Sequence, residues 1–292
     1  MASFQWKQFA GLNTVQRPEE LRPEELSVAR NIDIDRESRI SRKQGYVITA
    51  LTGSYHSLWS APDESICLAV KSGILYRVNT DWTVTALRSG VGDNDMQYVY
   101  VNGIVYYTNN TVIGYIQNGT SNIFTDPSMS FKVAPFPGSC IEYHMGRLCI
   151  AKGPAVFFTD ALALNRIDMR NGFKQFPSDV LMVKSVDSGL YVSDQNDTWF
   201  MAGDSPNTMK LSAVESATIQ GSAVVIDGSD IKTDLKGSVC IFTTKNGVCL
   251  GMGDGSVINV SKNKYKLPVA SKGAALVRNQ DRMRQYAVRL YN

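Results

Sequence analysis

The sequence predicts an all-β fold: a β-propeller of five clear four-stranded blades plus a sixth composite blade closed by N- and C-terminal strands, with an extended N-terminal arm. Three observations carry this. First, the stretches VYVNGIVYYTNNTVIGYIQNG (99–119), EYHMGRLCIAKGPAVFFTDAL (142–162) and SVDSGLYVSDQNDTWFMAGDS (185–205) each read as three short strands joined by two tight turns. Their first-turn glycines, Gly103, Gly146 and Gly189, and their second-turn residues, Asn110, Gly153 and Asn196, both recur every 43 residues, a period of four-stranded propeller blades. Second, Asn102-Gly103 and Asn246-Gly247 are strong hairpin signals, because both residue types tolerate positive φ. Third, no helical periodicity runs through 54–265.

Taken in order, residues 1–45 form the arm and 46–292 the propeller. Pro18 and Pro23 open the phrase PEELRPEEL. Proline suits a first helical turn and glutamates suit its positive end, so a short helix is expected from Pro18 toward Arg30. Ile32 and Ile34 alternate with Asp33 and Asp35 as in a strand, and a second strand is expected over 40–51. Blade 1 should hold strands 56–61, 66–70, 74–78 and 83–87. Blades 2 to 5 should span about 96–124, 140–176, 180–214 and 223–260. Segment 125–139, with three prolines, reads as an irregular loop. Insert 160–172 reads as a short helix or a long outer hairpin. Strands near 274–278 and 285–291 are too few for a blade of their own. Joined by residues 40–51 they would close the ring and remove free sheet edges. A β-sandwich is the alternative, and it leaves the matched turns unexplained.

Composition narrows the function classes. No apolar run approaches the roughly 18 residues of a membrane span, and the start MASFQWKQFAGL lacks a signal-peptide core, so a soluble chain made in the cytoplasm is expected. Net charge is only +3, but Arg36, Arg39, Arg42 and Lys43 cluster near one end and Lys272, Arg278, Arg282, Arg284 and Arg289 near the other. If the ends meet, they make a basic region; the bland reading is a solvated face. The five cysteines, Cys67, Cys140, Cys149, Cys240 and Cys249, lie in apolar strand-like runs without CxxC spacing. They read as small buried hydrophobes, not as disulfides or a zinc site.

Reaction chemistry is sparsely represented. His56 and His144 fall in first strands, which line a propeller channel; packing is the expected role. GMGDGS (251–256) joins two strands and so reads as a turn, since a phosphate cradle needs a helix start. Asp160, Asp187, Asp194, Asp197 and Asp204 fall at turns, where aspartate caps backbone amides. Glycoside hydrolysis would need a separated carboxylate pair. The run from Asp194 to Trp199 faintly resembles the sialidase Asp-box, itself a fold element, and the sialidase arginine triad cannot be placed. Asp33/Asp35 and Asp93/Asp95 lack a calcium-loop spacing. Blade aromatics such as Tyr98, Tyr106, Tyr107, Phe158 and Trp199 are expected to pack between blades. No enzyme activity, cofactor or metal is expected.

The ends of the chain carry a resemblance. FAGLNT from Phe9, the proline/glutamate stretch, ARNIDID from Ala29 and RISRKQGY from Arg39 resemble the opening of virion β-propeller proteins of bacteriophages, the tail-nozzle and packaged-DNA stabilisation proteins of short-tailed phages. NGVCLGMGDGSVINVSKNKYKLP from Asn246 and KGAALVRN from Lys272 resemble their last blade. The resemblance covers both ends, about a third of the chain. It implies a structural virion protein, made in the host cytoplasm, forming a ring of six copies beside connector or tail proteins. Such a ring would extend the exit channel and retain double-stranded DNA without reading its sequence. Phe4, Trp6, Phe9, Leu12, Asn31, Ile32 and Ile34 would be the arm's contacts with a neighbour. Arg36, Arg39, Arg42, Lys43, Arg278, Arg282 and Arg284 would face DNA or a partner. A receptor- or glycan-binding propeller and a propeller glycosidase are the competing classes.

Overall fold

The computed structural model describes residues 9–34, 38–43, 51–231, 234–262, 264–280 and 283–292, the side chains of 279, 280, 283 and 284 excepted. In the arm, β1 (Gly11–Leu12) pairs in parallel with β2 (Glu25–Leu26), and β3 (Ile32–Ile34) pairs with β4 (Ile40–Arg42). Blade 1 is β5 (His56–Ser60), β6 (Cys67–Lys71), β7 (Ile74–Val78) and β8 (Val84–Ser89). Blade 2 is β9 (Gln97–Val101), β10 (Ile104–Thr108), β11 (Ile113–Gln117) and β12 (Thr120–Asn122). A short strand, β13 (Lys132–Val133), precedes blade 3, which is β14 (Cys140–His144), β15 (Arg147–Lys152), β16 (Ala155–Asp160), β17 (Ala163–Asp168) and β18 (Phe173–Gln175). Blade 4 is β19 (Met182–Val186), β20 (Gly189–Ser193), β21 (Asp197–Ala202) and β22 (Lys210–Ser216). Blade 5 is β23 (Val224–Asp227), β24 (Ser238–Thr244), β25 (Gly247–Gly251) and β26 (Val257–Asn259). The long hairpin β27 (Lys272–Gln280) and β28 (Met283–Tyr291) ends the chain.

Blades 1, 2, 4 and 5 are four-stranded antiparallel meanders; blade 3 is widened to six strands by β13 and β18. The five expected blades are therefore present, with strand limits within a few residues of expectation. By contacts the chain forms two compact units. One comprises Met1–Ile48, Ile219–Met252 and Ser256–Asn292, the other Thr49–Thr218 and Gly253–Gly255.

In the second unit the strand period of two builds the core. Side chains alternate faces, so blade 2 sends Tyr98, Val105 and Tyr107 against Leu68, Val70 and Leu75 of blade 1. Its other face sends Val99, Val101 and Tyr106 against Ile141, Leu148 and Ile150 of blade 3. Cys149, Val156 and Phe158 in turn meet Val183, Leu190 and Met201 of blade 4. Each Val, Leu, Ile, Phe or Met among them contributes roughly 1.5–3 kcal/mol by leaving water. The aromatics therefore pack between blades, as expected. First strands lie side by side: β14 packs on both β9 and β19, and Met96 N donates to Ser57 Oγ at 2.8 Å.

The repeated turns do not all rest on the same device. Asn102 (φ 48°) and Gly103 (φ 83°), then Met145 (φ 42°) and Gly146 (φ 80°), form left-handed pairs suited to tight hairpins. Gly189 is different. It begins β20, and a Cβ there would strike Met201 O and the Phe200 ring, so it is needed for close approach. Asn110 is left-handed at φ 69°. Asn196 instead lies in a turn capped by Asp194, whose Oδ1 accepts from Asn196 N at 2.8 Å and Asp197 N at 2.9 Å.

The helix expected from Pro18 toward Arg30 is not formed. A single 3-10 turn, Pro18–Glu20, ends at Leu21, whose ψ is 142°. Pro23 lacks an N–H and drives Arg22 out of the helical region, and Glu25–Leu26 gain backbone partners by pairing with β1. Segment 125–139 is irregular but for β13. Insert 160–172 takes the hairpin form, with a register shift at Thr159/Asp160 and Leu162 at φ 59°. At the ends, Ile40–Arg42 pair with Ile32–Ile34, while residues 44–50 lie outside the described residues. The N-terminal and C-terminal hairpins are separate two-stranded sheets among the described residues.

Candidate interaction site at the chain termini

The site is built within the unit that holds both ends. Asn13, 5% exposed, organises the arm. Its Oδ1 accepts from Val15 N (3.1 Å) and Gln16 N (3.3 Å), and its Nδ2 donates to Gln16 Oε1 (3.0 Å) and Glu25 Oε1 (3.1 Å). The Arg22 backbone N–H and then the Asn13 amide hold the Glu25 carboxyl below its usual range. The next residue anchors the arm to the far end of the sequence. Thr14 N donates to Lys264 O at 2.9 Å, and Lys266 N donates to Thr14 Oγ1 at 3.3 Å.

The C-terminal hairpin is seated beside blade 5. Gly273 N donates to Gln220 O at 2.7 Å, and Gln220 bridges Lys272 in parallel. Tyr286 Oη donates to Ser222 O at 2.5 Å and shares a 2.9 Å hydrogen bond with Thr243 Oγ1; burial pushes this phenol up. Gln285 Nε2 then donates to Oδ1 of the buried Asp33 at 3.0 Å, joining the two terminal hairpins.

Of the expected arm contacts, Phe9 is half-buried and its N–H donates to Ser38 O. Leu12 is half-buried opposite Leu26. Asn31 is exposed in a left-handed conformation and accepts from Lys43 N. Ile32 and Ile34 are half-buried opposite Arg42 and Ile40. Phe4, Trp6, Arg36 and Arg282 lie outside the described residues, as does the side chain of Arg284.

Register divides the basic residues. Arg278 sits directly opposite Gln285, so both share the hairpin face that meets Asp33. Asp33 shares a face of its own hairpin with Ser41, whereas Arg42 shares the other with Ile32. Arg278 is thus brought to the junction and Arg42 points away from it. Arg39 is exposed and Lys43 half-buried. Asn13, Asp33, Gln285 and Tyr286 were not expected as site residues; the signal available was the Asn in FAGLNT.

The inner strands of the second unit hold a satisfied polar cluster. His144 Nε2 lies 3.0 Å from Gly203 O, which only accepts, so Nε2 carries the proton and Nδ1 accepts from Ser185 Oγ at 2.9 Å. His56 instead bonds its neighbour Ser57 through Nδ1, and its Nε2 is buried without a hydrogen-bond partner among the described residues. Glu142 Oε2 pairs with Lys184 Nζ at 3.2 Å. Burial lowers the His144 pKa below 6.5. The folded state then binds fewer protons than the unfolded chain just below pH 6.5, so stability present above that pH is lost as pH falls. Urea midpoints are expected to drop between pH 7.5 and 5.5, with a shallower drop in His144→Gln; equal slopes would exclude His144 as the cause.

Among the described residues no three His, Cys, Asp or Glu side chains converge as a metal site, and no helix is long and apolar enough to cross a membrane. Asp93 Oδ1 accepts from Gly73 N. Cys140, Cys149, Cys240 and Cys249 are buried and Cys67 half-buried. Burial pushes Cys140 up to about 11 and Cys149 well above its ordinary value.

No protein-family model and no curated protein matches the chain. Solved structures do. BBS1N in complex with ARL6DN is 10% identical with a TM-score of 0.55, over 84% of this chain and 77% of that one. A streptogramin B lyase is 13% identical with a TM-score of 0.50, over 82% and 84%. A catalytically inactive virginiamycin B lyase from Staphylococcus aureus, with quinupristin, is 11% identical with a TM-score of 0.50, over 83% and 87%. At these identities the likeness is one of fold: the chain is a β-propeller.

Proposed function

We propose that this chain is a structural subunit of a bacteriophage virion, a propeller that assembles into a closed ring at or below the head–tail connector. The ring extends the channel through which double-stranded DNA leaves and helps retain packaged DNA. One observation carries the reading. The segments that bear the resemblance, some 250 residues apart, are joined by the Thr14–Lys264 and Thr14–Lys266 hydrogen bonds, and Asp33 bonds Gln285, the residue paired with Arg278 of the last such segment. They thus offer neighbouring subunits one composite surface. Six copies is the number the resemblance implies, and head-to-tail contacts close only at a fixed rotation. Arg39 and Arg42, exposed on the N-terminal hairpin, would meet phosphates, which position without reading sequence.

The receptor- or glycan-binding and glycosidase readings draw on turn aspartates and mouth aromatics. Asp160 is instead held by Lys132 and Arg166, and Asp194 by two backbone amides and Trp199 Nε1. The test is incorporation. The chain lacking residues 1–30 is expected to keep its β-sheet circular dichroism and to be missing from purified virions by mass spectrometry. Normal incorporation of that truncation would sink the assembly role of the arm.

A further inference from the structure

The outer edge of blade 3 differs from the others. There β17 pairs with β13, and Phe131 (61% exposed), Met129 (48%) and Met169 (41%) stand in solvent. They are held together. Met169 N donates to Phe131 O at 3.1 Å. The Arg170 guanidinium lies 4.7 Å from the Phe131 ring centre. Arg166 Nη1 lies 3.6 Å from Met129 Sδ. Phe131 sits at φ 60°, a conformation that costs a bulky residue about 1–3 kcal/mol. Beneath this surface Lys132, Arg166 and Arg170 share two carboxylates, Asp160 and Asp168. That leaves one positive charge in excess, with the Arg170 side chain 55% exposed. Methionine, an aromatic ring and arginine together are the composition of interface centres.

The complement is on the same sequence. Glu19 and Glu20 are exposed on the turn Pro18–Glu20, and neither carboxylate has a hydrogen bond or ion pair among the described residues. The same arm exposes Val15 (52%) and Val28 (65%). We propose that the Met129/Phe131/Met169 edge of blade 3, with Arg166 and Arg170, is the seat for the acidic Pro18–Glu20 turn of a second copy of this chain. Two different surfaces meet, so the contact is head-to-tail and propagates from copy to copy. It rests on the ring reading above and specifies which surfaces make the ring.

Sedimentation velocity of the full chain over a wide concentration range tests the contact. Association is expected and should weaken with added salt. Arg170→Glu and Glu20→Arg should each weaken it by at least about tenfold, and the two together should restore it. Phe131→Ala removes the ring beneath the Arg170 guanidinium but keeps all the charges of the ion cluster, so it should weaken the contact without the local misfold that charge reversals could cause. A chain that stays monomeric, association indifferent to these changes, or no recovery in the combined variant overturns the contact. Virion incorporation separates this failure from that of the ring reading: if Glu20→Arg enters particles normally, the ring stands and this contact falls.

Discussion

Asp194→Ala is expected to lower the unfolding free energy by about 2–4 kcal/mol, read from urea denaturation. Asp194 is fully buried. Its Oδ1 takes the Asn196 and Asp197 amides, and its Oδ2 takes Trp199 Nε1 at 3.1 Å. Alanine leaves all three donors without that acceptor, and an abandoned buried donor costs about 1–3 kcal/mol. Trp199 also packs against the core between blades 3 and 4, so its fluorescence should report the change directly. Asp194→Asn is expected to fall between, because the amide oxygen can still serve the backbone while its NH2 faces the indole N–H. A loss below about 1 kcal/mol in the alanine variant would mean that water replaces the carboxylate and that the cap is dispensable.

Gly221→Ala is expected to detach the C-terminal hairpin. Gly221 has φ +82°, and a Cβ there would collide with Gly273 O, a backbone atom. Left-handed strain of about 1–2 kcal/mol adds to about 1–3 kcal/mol of overpacking. The strand cannot retreat without breaking Gly273 N to Gln220 O and pulling Tyr286 from Ser222 and Thr243. Hydrogen exchange should quicken along β27 and β28 while the amides of β20 and β21 keep their protection. An unchanged exchange pattern in the hairpin would mean that it does not depend on this seat. The same variant should lose virion incorporation if the joined termini are the assembly surface.

What the sequence alone determined is the blade framework. Short-range rules suffice for it: strand alternation needs only neighbours two residues apart, and Asn102-Gly103 sets its own hairpin. The buried cysteines followed from the same apolar runs. Beyond the nearest turn, legibility failed. Gly189 matched Gly103 in spacing, yet it is required by Met201 and Phe200 on the next strand. The arm's glutamates matched a helix start, yet β1 offers Glu25 and Leu26 partners fourteen residues away along the chain. Asn13 and Asp33 looked like ordinary polar residues. Their weight comes from partners that only folding supplies, Glu25 for one and Gln285 for the other. The basic clusters met the same limit. Composition placed Arg42 and Arg278 in one patch, but strand register sends Arg278 toward the junction of the terminal hairpins and Arg42 away from it. Tertiary structure decides such matters because a side chain's direction is set by which strand its own strand pairs with, and pairing between distant segments leaves no local signature in the chain.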